Sequence, residues 1–437
     1  MARMESHVLE LKKFPKGINL LTNSAHLGPD ELADAYGFDI LDDGELVTEP
    51  RWATGDSEWM NGLSTNYTTS FGPLAGLAYG GSLDTQNTSG FYYLAFDAVP
   101  AGALAARDLK VCKTYRRPAS ATDGNLDWNN VAFNPASAAG AGTYDVWLTQ
   151  FNGRVYLAVS TGTFQGLYCD GATTAATGDI PTISSTFGAV INTQGGTALA
   201  PRSPVIHHDR LMLADGSGLT DYYRIRFSAV GNAGGSGSVA AWPDNNYFDI
   251  DGYTGSGIIA LVSAGSHLYI FCDTSIWTLF GGTISQWDLK NISRGIAPIS
   301  HKTIWKSPNN EVYFLAQDNN IYKLTGFQMQ SMSDQLNRTR ALHYVHNLPG
   351  GIRTHHHYRV SPVLGSWATG TLAAPNTWIE STAGSQREGN VGYNLNLKNG
   401  ALTKSAQWTT NYNAYGAYFR DDDLDRAFRF YRTAQPG

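Results

Sequence analysis

Charged residues make up only 16% of this 437-residue chain, well short of the quarter usual in globular proteins. No Lys/Arg tract occurs and the formal net charge is −6, which argues against affinity for nucleic acid through phosphate neutralisation. An acidic or neutral wall past which DNA slides without sticking stays open. Cysteine is scarce too: Cys112, Cys169 and Cys272 are far apart and odd in number, which argues against a disulfide-stapled secreted fold. Cys169 and Cys272 fall in strand-like runs, where a buried, inert thiol is expected. No stretch of about 20 apolar residues exists, and Met1 to His7 opens no apolar leader. The expectation is a soluble product made in a cytoplasm, with later incorporation into something exported or released left open. Also missing are a Gly-x-x-x-x-Gly-Lys phosphate loop, a Gly-x-Ser-x-Gly elbow, a His-Glu-x-x-His pair and paired Cys-x-x-Cys, which weighs against several large enzyme classes.

What the chain does have is aromatic residues and glycine. Aromatics reach 12%, with 23 Tyr and 11 Trp, and there are 47 Gly, a composition for pleated strands joined by tight turns. One pattern returns four times: Arg154-Val155-Tyr156-Leu157-Ala158-Val159, Arg210-Leu211-Met212-Leu213-Ala214, His267-Leu268-Tyr269-Ile270-Phe271 and Glu311-Val312-Tyr313-Phe314-Leu315-Ala316. A short polar or Gly-containing turn follows each, then a second apolar strand: 166–169, 222–225, 275–279 and 320–324. The corresponding residues Val155, Leu211, Leu268 and Val312 are 56, 57 and 44 residues apart, near the period of β-propeller blades. The expected fold is all-β: a propeller of five to seven blades of antiparallel sheet over residues 46–330. An N-terminal arm over 1–45 packs onto or closes it, and a C-terminal β-rich segment over 331–437 either closes it or forms an adjoining platform. Within the arm, Gly28 to Tyr36 predicts one or two helical turns, and Phe38 to Val47 a strand pair around the Asp43-Gly44 turn. Further strands are predicted at 74–79, 90–96, 109–115, 358–363, 391–397 and 417–419, and a short helix at 333–346. The Gly/Ala/Ser-rich stretches 135–142, 172–178, 195–196 and 231–238 read as surface connections.

The side chains that carry chemistry elsewhere read here mostly as structural. The run His355-His356-His357 reads as a surface or interface run; the alternative is a metal site, which only His355 and His357, on one strand face, could share. His207-His208-Asp209-Arg210 precedes a repeat strand, where His208 and Asp209 are expected to cap the strand and hold the turn rather than act as a catalytic pair. Asp249-Ile250-Asp251-Gly252 lacks the later acidic ligands of a calcium loop and reads as an Asx-type turn. The acidic patch Asp421-Asp422-Asp423-Leu424-Asp425 faces Arg420, Arg426, Arg429 and Arg432 as a solvated or salt-bridged tail, with a cation site or subunit contact as the alternative. Sequence alone places no carboxylate pair for glycoside hydrolysis. Sialidase-type Ser-x-Asp-x-Gly-x-x-Trp boxes are missing, and Trp287-Asp288 is a single instance without the Gly-His of a WD repeat.

Three patches, in order, resemble the β-propeller tail nozzle, or packaged-DNA stabilisation, proteins of short-tailed bacteriophages. They are Phe14-Pro15-Lys16-Gly17-Ile18-Asn19 through Asp42-Asp43-Gly44-Glu45-Leu46; His208 through Ala214 with Ile225-Arg226-Phe227-Ser228, Trp242-Pro243 and Phe248-Asp249-Ile250; and Leu268 through Phe271, Ser275-Ile276-Trp277 and Ser293 through Pro298, on to Val312 through Leu315 and Ile321-Tyr322. After Phe327 no clear counterpart follows. The resemblance implies a non-enzymatic virion protein with no catalytic, cofactor-binding or metal residues. It implies a homo-oligomer, a hexameric ring below the portal and its adaptor, which extends the DNA channel, helps retain packaged DNA and carries fibres or spikes. DNA would pass the lumen without sequence-specific binding, and there would be no membrane insertion. The alternative is a propeller enzyme or lectin acting on surface polysaccharide; a propeller scaffold of cellular origin is a third reading.

Overall fold

The structure, a computed structural model, describes residues 13–19, 24–48, 69–79, 91–99, 108–115, 129–130, 146–159, 167–169, 193–194, 199, 201–215, 223–234, 241–250, 257–298, 301–307, 309–318, 320–332, 350–352, 357–360, 392–396, 399–405, 412–413, 418–421, 426–429 and 432–433. The chain is all-β, built of several small antiparallel sheets. The described helical pieces are the single 3-10 turns Ser24–His26, Ile284–Gln286 and His301–Thr303, and Ala241 also falls in a 3-10 turn.

Four short strands lead: β1 (Gly17–Ile18), β2 (Glu31–Leu32), β3 (Phe38–Ile40) and β4 (Leu46–Thr48). Five meanders follow, each a sheet whose strands are neighbours in chain order. The first holds β5 (Thr69–Tyr79), β6 (Phe91–Val99), β7 (Asp108–Tyr115) and β8 (Asn129–Asn130). The second holds β9 (Val146–Phe151), β10 (Arg154–Val159) and β11 (Leu167–Cys169). The third is β12 (Pro201–His207), β13 (Arg210–Asp215), β14 (Arg224–Phe227) and β15 (Tyr247–Asp249). The fourth is β16 (Ile258–Ala264), β17 (His267–Cys272), β18 (Ser275–Phe280) and β19 (Asp288–Arg294). The fifth is β20 (Trp305–Lys306), β21 (Val312–Leu315), β22 (Ile321–Thr325) and β23 (Gln328–Ser331). The four repeat runs are therefore β10, β13, β17 and β21, the second strand of meanders two to five. Later come β24 (Gly350–Ile352), β25 (His357–Val360), β26 (Gly392–Asn396), β27 (Leu402–Ser405), β28 (Tyr412–Asn413), β29 (Tyr418–Asp421), β30 (Arg426–Arg429) and β31 (Arg432–Thr433).

Repeat strands read as unbroken apolar runs because both of their faces are covered. On β13, Leu211 and Leu213 pack toward the second meander with Phe151, Tyr156 and Trp242. The alternate residues Met212 and Ala214 pack toward the fourth with Leu268, Ile270 and Cys272. On β17 the alternation continues: Tyr269 and Phe271 meet Val312, Phe314 and Tyr322 of the fifth meander. Period-two alternation thus sends successive residues into two different cores. Each fully buried Leu or Phe contributes about 1.5–3 kcal/mol. First strands of consecutive meanders also lie side by side, β5 against β9, β9 against β12 and β12 against β16.

Early and late strands meet in one sheet, ordered β2-β1-β27-β26-β25-β24. Here β1 runs parallel to β27, Gly17 opposite Leu402. Asn396, buried, donates through Nδ2 to Ile40 O at 2.9 Å and to Asp42 Oδ1 at 3.1 Å, which ties β26 to the β3–β4 hairpin. That hairpin pairs Ile40 with Leu46 around Gly44, whose φ of 89° only glycine adopts freely. One expectation is overturned nearby. Residues 28–36 form no helix: the chain turns at Pro29-Asp30 and runs extended at Glu31–Leu32. The Glu31 carboxylate accepts from Gly28 N at 3.0 Å and Asp30 pairs with Lys16 at 3.0 Å, so the acidic residues close a tight turn instead of starting a helix. The helix expected at 333–346 and the connections at 135–142, 172–178 and 195–196 lie outside the described residues.

Candidate functional site

The side chains that join one meander to the next follow a rule set by the repeat. Its third position is Tyr156, Met212, Tyr269 and Tyr313. The Tyr156 hydroxyl donates to Gly234 O at 3.1 Å, in the β14–β15 loop of the next meander. The Tyr269 hydroxyl donates to Gly326 O at 2.9 Å, in the β22–β23 turn of the meander after it. Both are hydroxyl clamps across a sheet boundary; burial, with only partial relief from the Gly326 bond, pushes the Tyr269 hydroxyl up to about 12. Tyr313 turns its hydroxyl to Glu311 Oε2 at 2.8 Å within its own sheet, where Lys323 also pairs with Glu311.

Met212 has no hydroxyl, and the boundary between the third and fourth meanders is joined by other means. Ser203 sits at an irregularity in β12 with a φ of 48°, and its hydroxyl accepts from Leu261 N at 2.8 Å. Four residues on, His207 Nδ1 lies 2.9 Å from Ser263 Oγ. His207 is 2% exposed, and its Nε2 has no hydrogen-bond partner. His208 packs its ring 4.1 Å from that of His207 and also buries an unpartnered Nε2. His267 stands behind them, stacked on Tyr269 at 5.9 Å and edge-on to Phe327 at 5.0 Å. Burial, then the neighbouring His208 and His267, pushes His207 down to about 4. Burial lowers His267 as well.

The expectation for His208 and Asp209 holds: they form the two-residue turn between β12 and β13, with φ of 48° and 56° and His207 opposite Arg210. Asp209 is exposed, and no ion pair or hydrogen bond draws its carboxylate to an imidazole. Asp249 is held by Arg224 through two bonds of 2.8 and 3.0 Å, and Ile250 is buried; Asp251-Gly252 lie outside the described residues. So do His355-His356 and Asp422 to Asp425, whereas in backbone register His357 of β25 lies opposite Asn396 of β26 and Asp421 of β29 opposite Arg426 of β30. Cys272 is buried and free, its thiol pushed up to about 11 by burial, as an inert core residue should be. Trp287 packs edge-on to Phe227 at 5.1 Å across the same third–fourth boundary, a structural use of the lone Trp-Asp pair. Among the described residues no group of three His, Cys, Asp or Glu is arranged to hold a metal ion. Sequence reasoning missed Ser203, Ser263 and His267, because nothing local marks residues that meet only through sheet packing.

Large apolar side chains are exposed along the turn-bearing ends of these sheets: Ile206, Val230, Ile284 and Phe327, with Tyr247 on the edge strand β15. No family model and no curated protein matches the chain. Among solved structures, KlHsv2 with loop 6CD replaced by a Gly-Ser linker is 9% identical with a TM-score of 0.36 over 84% of this chain and 98% of that one. A GH74 enzyme of Niastella koreensis is 12% identical, TM-score 0.39, over 80% of this chain and 49% of that one. The extracellular domain of a hybrid two component system from B. thetaiotaomicron is 8% identical, TM-score 0.34, and the chain spans 38% of its length. Likeness of this extent carries no argument for what the chain does.

Proposed function

We propose that this chain is a non-catalytic building block, a β-propeller whose rigid wedge assembles into a ring-forming tail nozzle. The five meanders are five blades. The six-stranded sheet that takes in β1 and β2 serves as a sixth, and the β28–β31 hairpins, with β29 against β5, close the circle. The observation that carries the reading is the tie between early and late strands, where β1 lies on β27 and Asn396 bonds to Ile40 O. Joining strands this far apart in sequence into one sheet makes a stiff unit, and a stiff unit with broad faces suits ring packing. The exposed apolar residues at the turn ends suit protein contact, and a net charge of −6 suits a channel that lets phosphates pass. The nozzle role itself rests on the ordered sequence patches that resemble such proteins; partners would be further copies, an adaptor, and fibres or spikes.

The test is native mass measurement and imaging of the purified full chain, alone and on assembled particles. A closed hexameric ring is the expected result. A monomer that cleaves or tightly binds surface polysaccharide would refute it and favour the carbohydrate-active alternative.

A further inference from the structure

We propose that His207 and His208, with His267 behind them, form an acid-sensitive latch on the boundary between the third and fourth meanders. The inference stands apart from any particular assembly, because it concerns how two sheets of one chain hold together. Three observations meet there. The tyrosine clamp that joins other meanders is replaced at this boundary by Met212. The side-chain links that take its place are Ser203 to Leu261 and His207 to Ser263, both between β12 and β16. Two buried imidazole nitrogens, Nε2 of His207 and of His208, lack partners while their rings stand 4.1 Å apart.

A neutral imidazole tolerates such a place; an imidazolium does not, since both its nitrogens then need acceptors. With Nδ1–H given to Ser263 Oγ, a protonated His207 would carry a second N–H into a pocket with no acceptor for it. The groups around it offer no relief. On its own turn, His208 is a second imidazole and Asp209 is exposed. Arg210 is turned toward β14, donating to Ser228 O at 2.6 Å and lying over Phe227. β16 presents the neutral Ser263, and β17 presents His267, another base. From β19, Lys290 adds a positive charge over Phe327, against which His267 packs. Acidification therefore gathers like charge on a boundary that lacks a carboxylate partner for His207.

The sign follows from His207 titrating near 4 when folded and near its ordinary 6.5 when unfolded. The boundary is at full strength above about pH 6.5 and weakens as pH falls from there toward about 4. A ligand that kept the boundary shut in acid would have to supply an acceptor to His207 Nε2.

Hydrogen exchange of the full chain at about pH 7.5 and about pH 5, corrected for intrinsic rates, tests this. Segments 201–207 and 258–264 should lose at least about tenfold in protection relative to 312–324. In His207→Asn, whose amide keeps a bond to Ser263 but cannot titrate, that selective loss should vanish. Equal loss across all three segments, or unchanged loss in the variant, would overturn the latch. Should the variant not fold, imidazole titration of the wild-type chain by NMR decides: His207 titrating below about 5 supports the latch, and titration at or above about 6.5 sinks it.

Discussion

At the residue scale, the hydroxyl of Tyr269 is the smallest feature with a large consequence. It joins two sheets through one bond to Gly326 O, from a ring buried between Phe271 and His267. Tyr269→Phe should lower unfolding free energy by about 1–2 kcal/mol, read as a lower urea midpoint with an unchanged slope, because Gly326 O loses its partner without a cavity forming. Phe271→Ala, by contrast, empties space facing Phe314 and should cost about 3–5 kcal/mol in the same measurement. Gly281 offers a backbone test. Its φ is 119° and a methyl there would stand 2.2 Å from Gln286 O, so Gly281→Ala should destabilise the β18–β19 turn by more than about 1 kcal/mol. Of these positions, the tyrosine was legible as a repeated letter in the sequence. Its acceptor was not, since Gly326 lies 57 residues away and belongs to another sheet.

At the element scale, strands were readable wherever burial was two-sided or the turn chemistry was explicit. The runs at 154, 210, 267 and 311 became strands because continuous apolar sequence of that length between polar turns has few other stable uses. The Asp43-Gly44 hairpin formed for the reason its letters suggest. The error at 28–36 was a competition between a Pro/acidic helix start and a turn. Lys16 and the parallel pairing of Ile18 with Leu32 settled it from outside the segment. Those pairings make β1 and β2 a covering for the edge of β27, not a detachable tail. Removing residues 13–32 should expose that edge, so exchange protection at 392–396 and 402–405 should fall while 267–280 stays protected.

At the scale of the whole molecule, the described sheets share cores with their neighbours and the chain carries little charge. The net charge of −6 makes a further expectation concrete: the chain should not be retained on double-stranded DNA at about 150 mM salt, and lowering salt should change retention little. Steep salt-dependent binding would indicate a cationic face that the composition does not suggest. The latch proposed for the boundary beside Met212 predicts that acid loosens the molecule there before its other described boundaries.

Composition and pattern by themselves determined that the chain is all-β and where its repeat strands lie. These follow from local periodicity and from counts, which need no knowledge of neighbours. Which face of each strand meets which sheet, that β1 and β2 share a sheet with β24–β27, and that His207, Ser263 and His267 gather on one boundary were decided only by tertiary packing. Such contacts join residues 56 and more positions apart. Their pairing is selected by shape and burial once the sheets stack, and leaves no periodic trace along the chain.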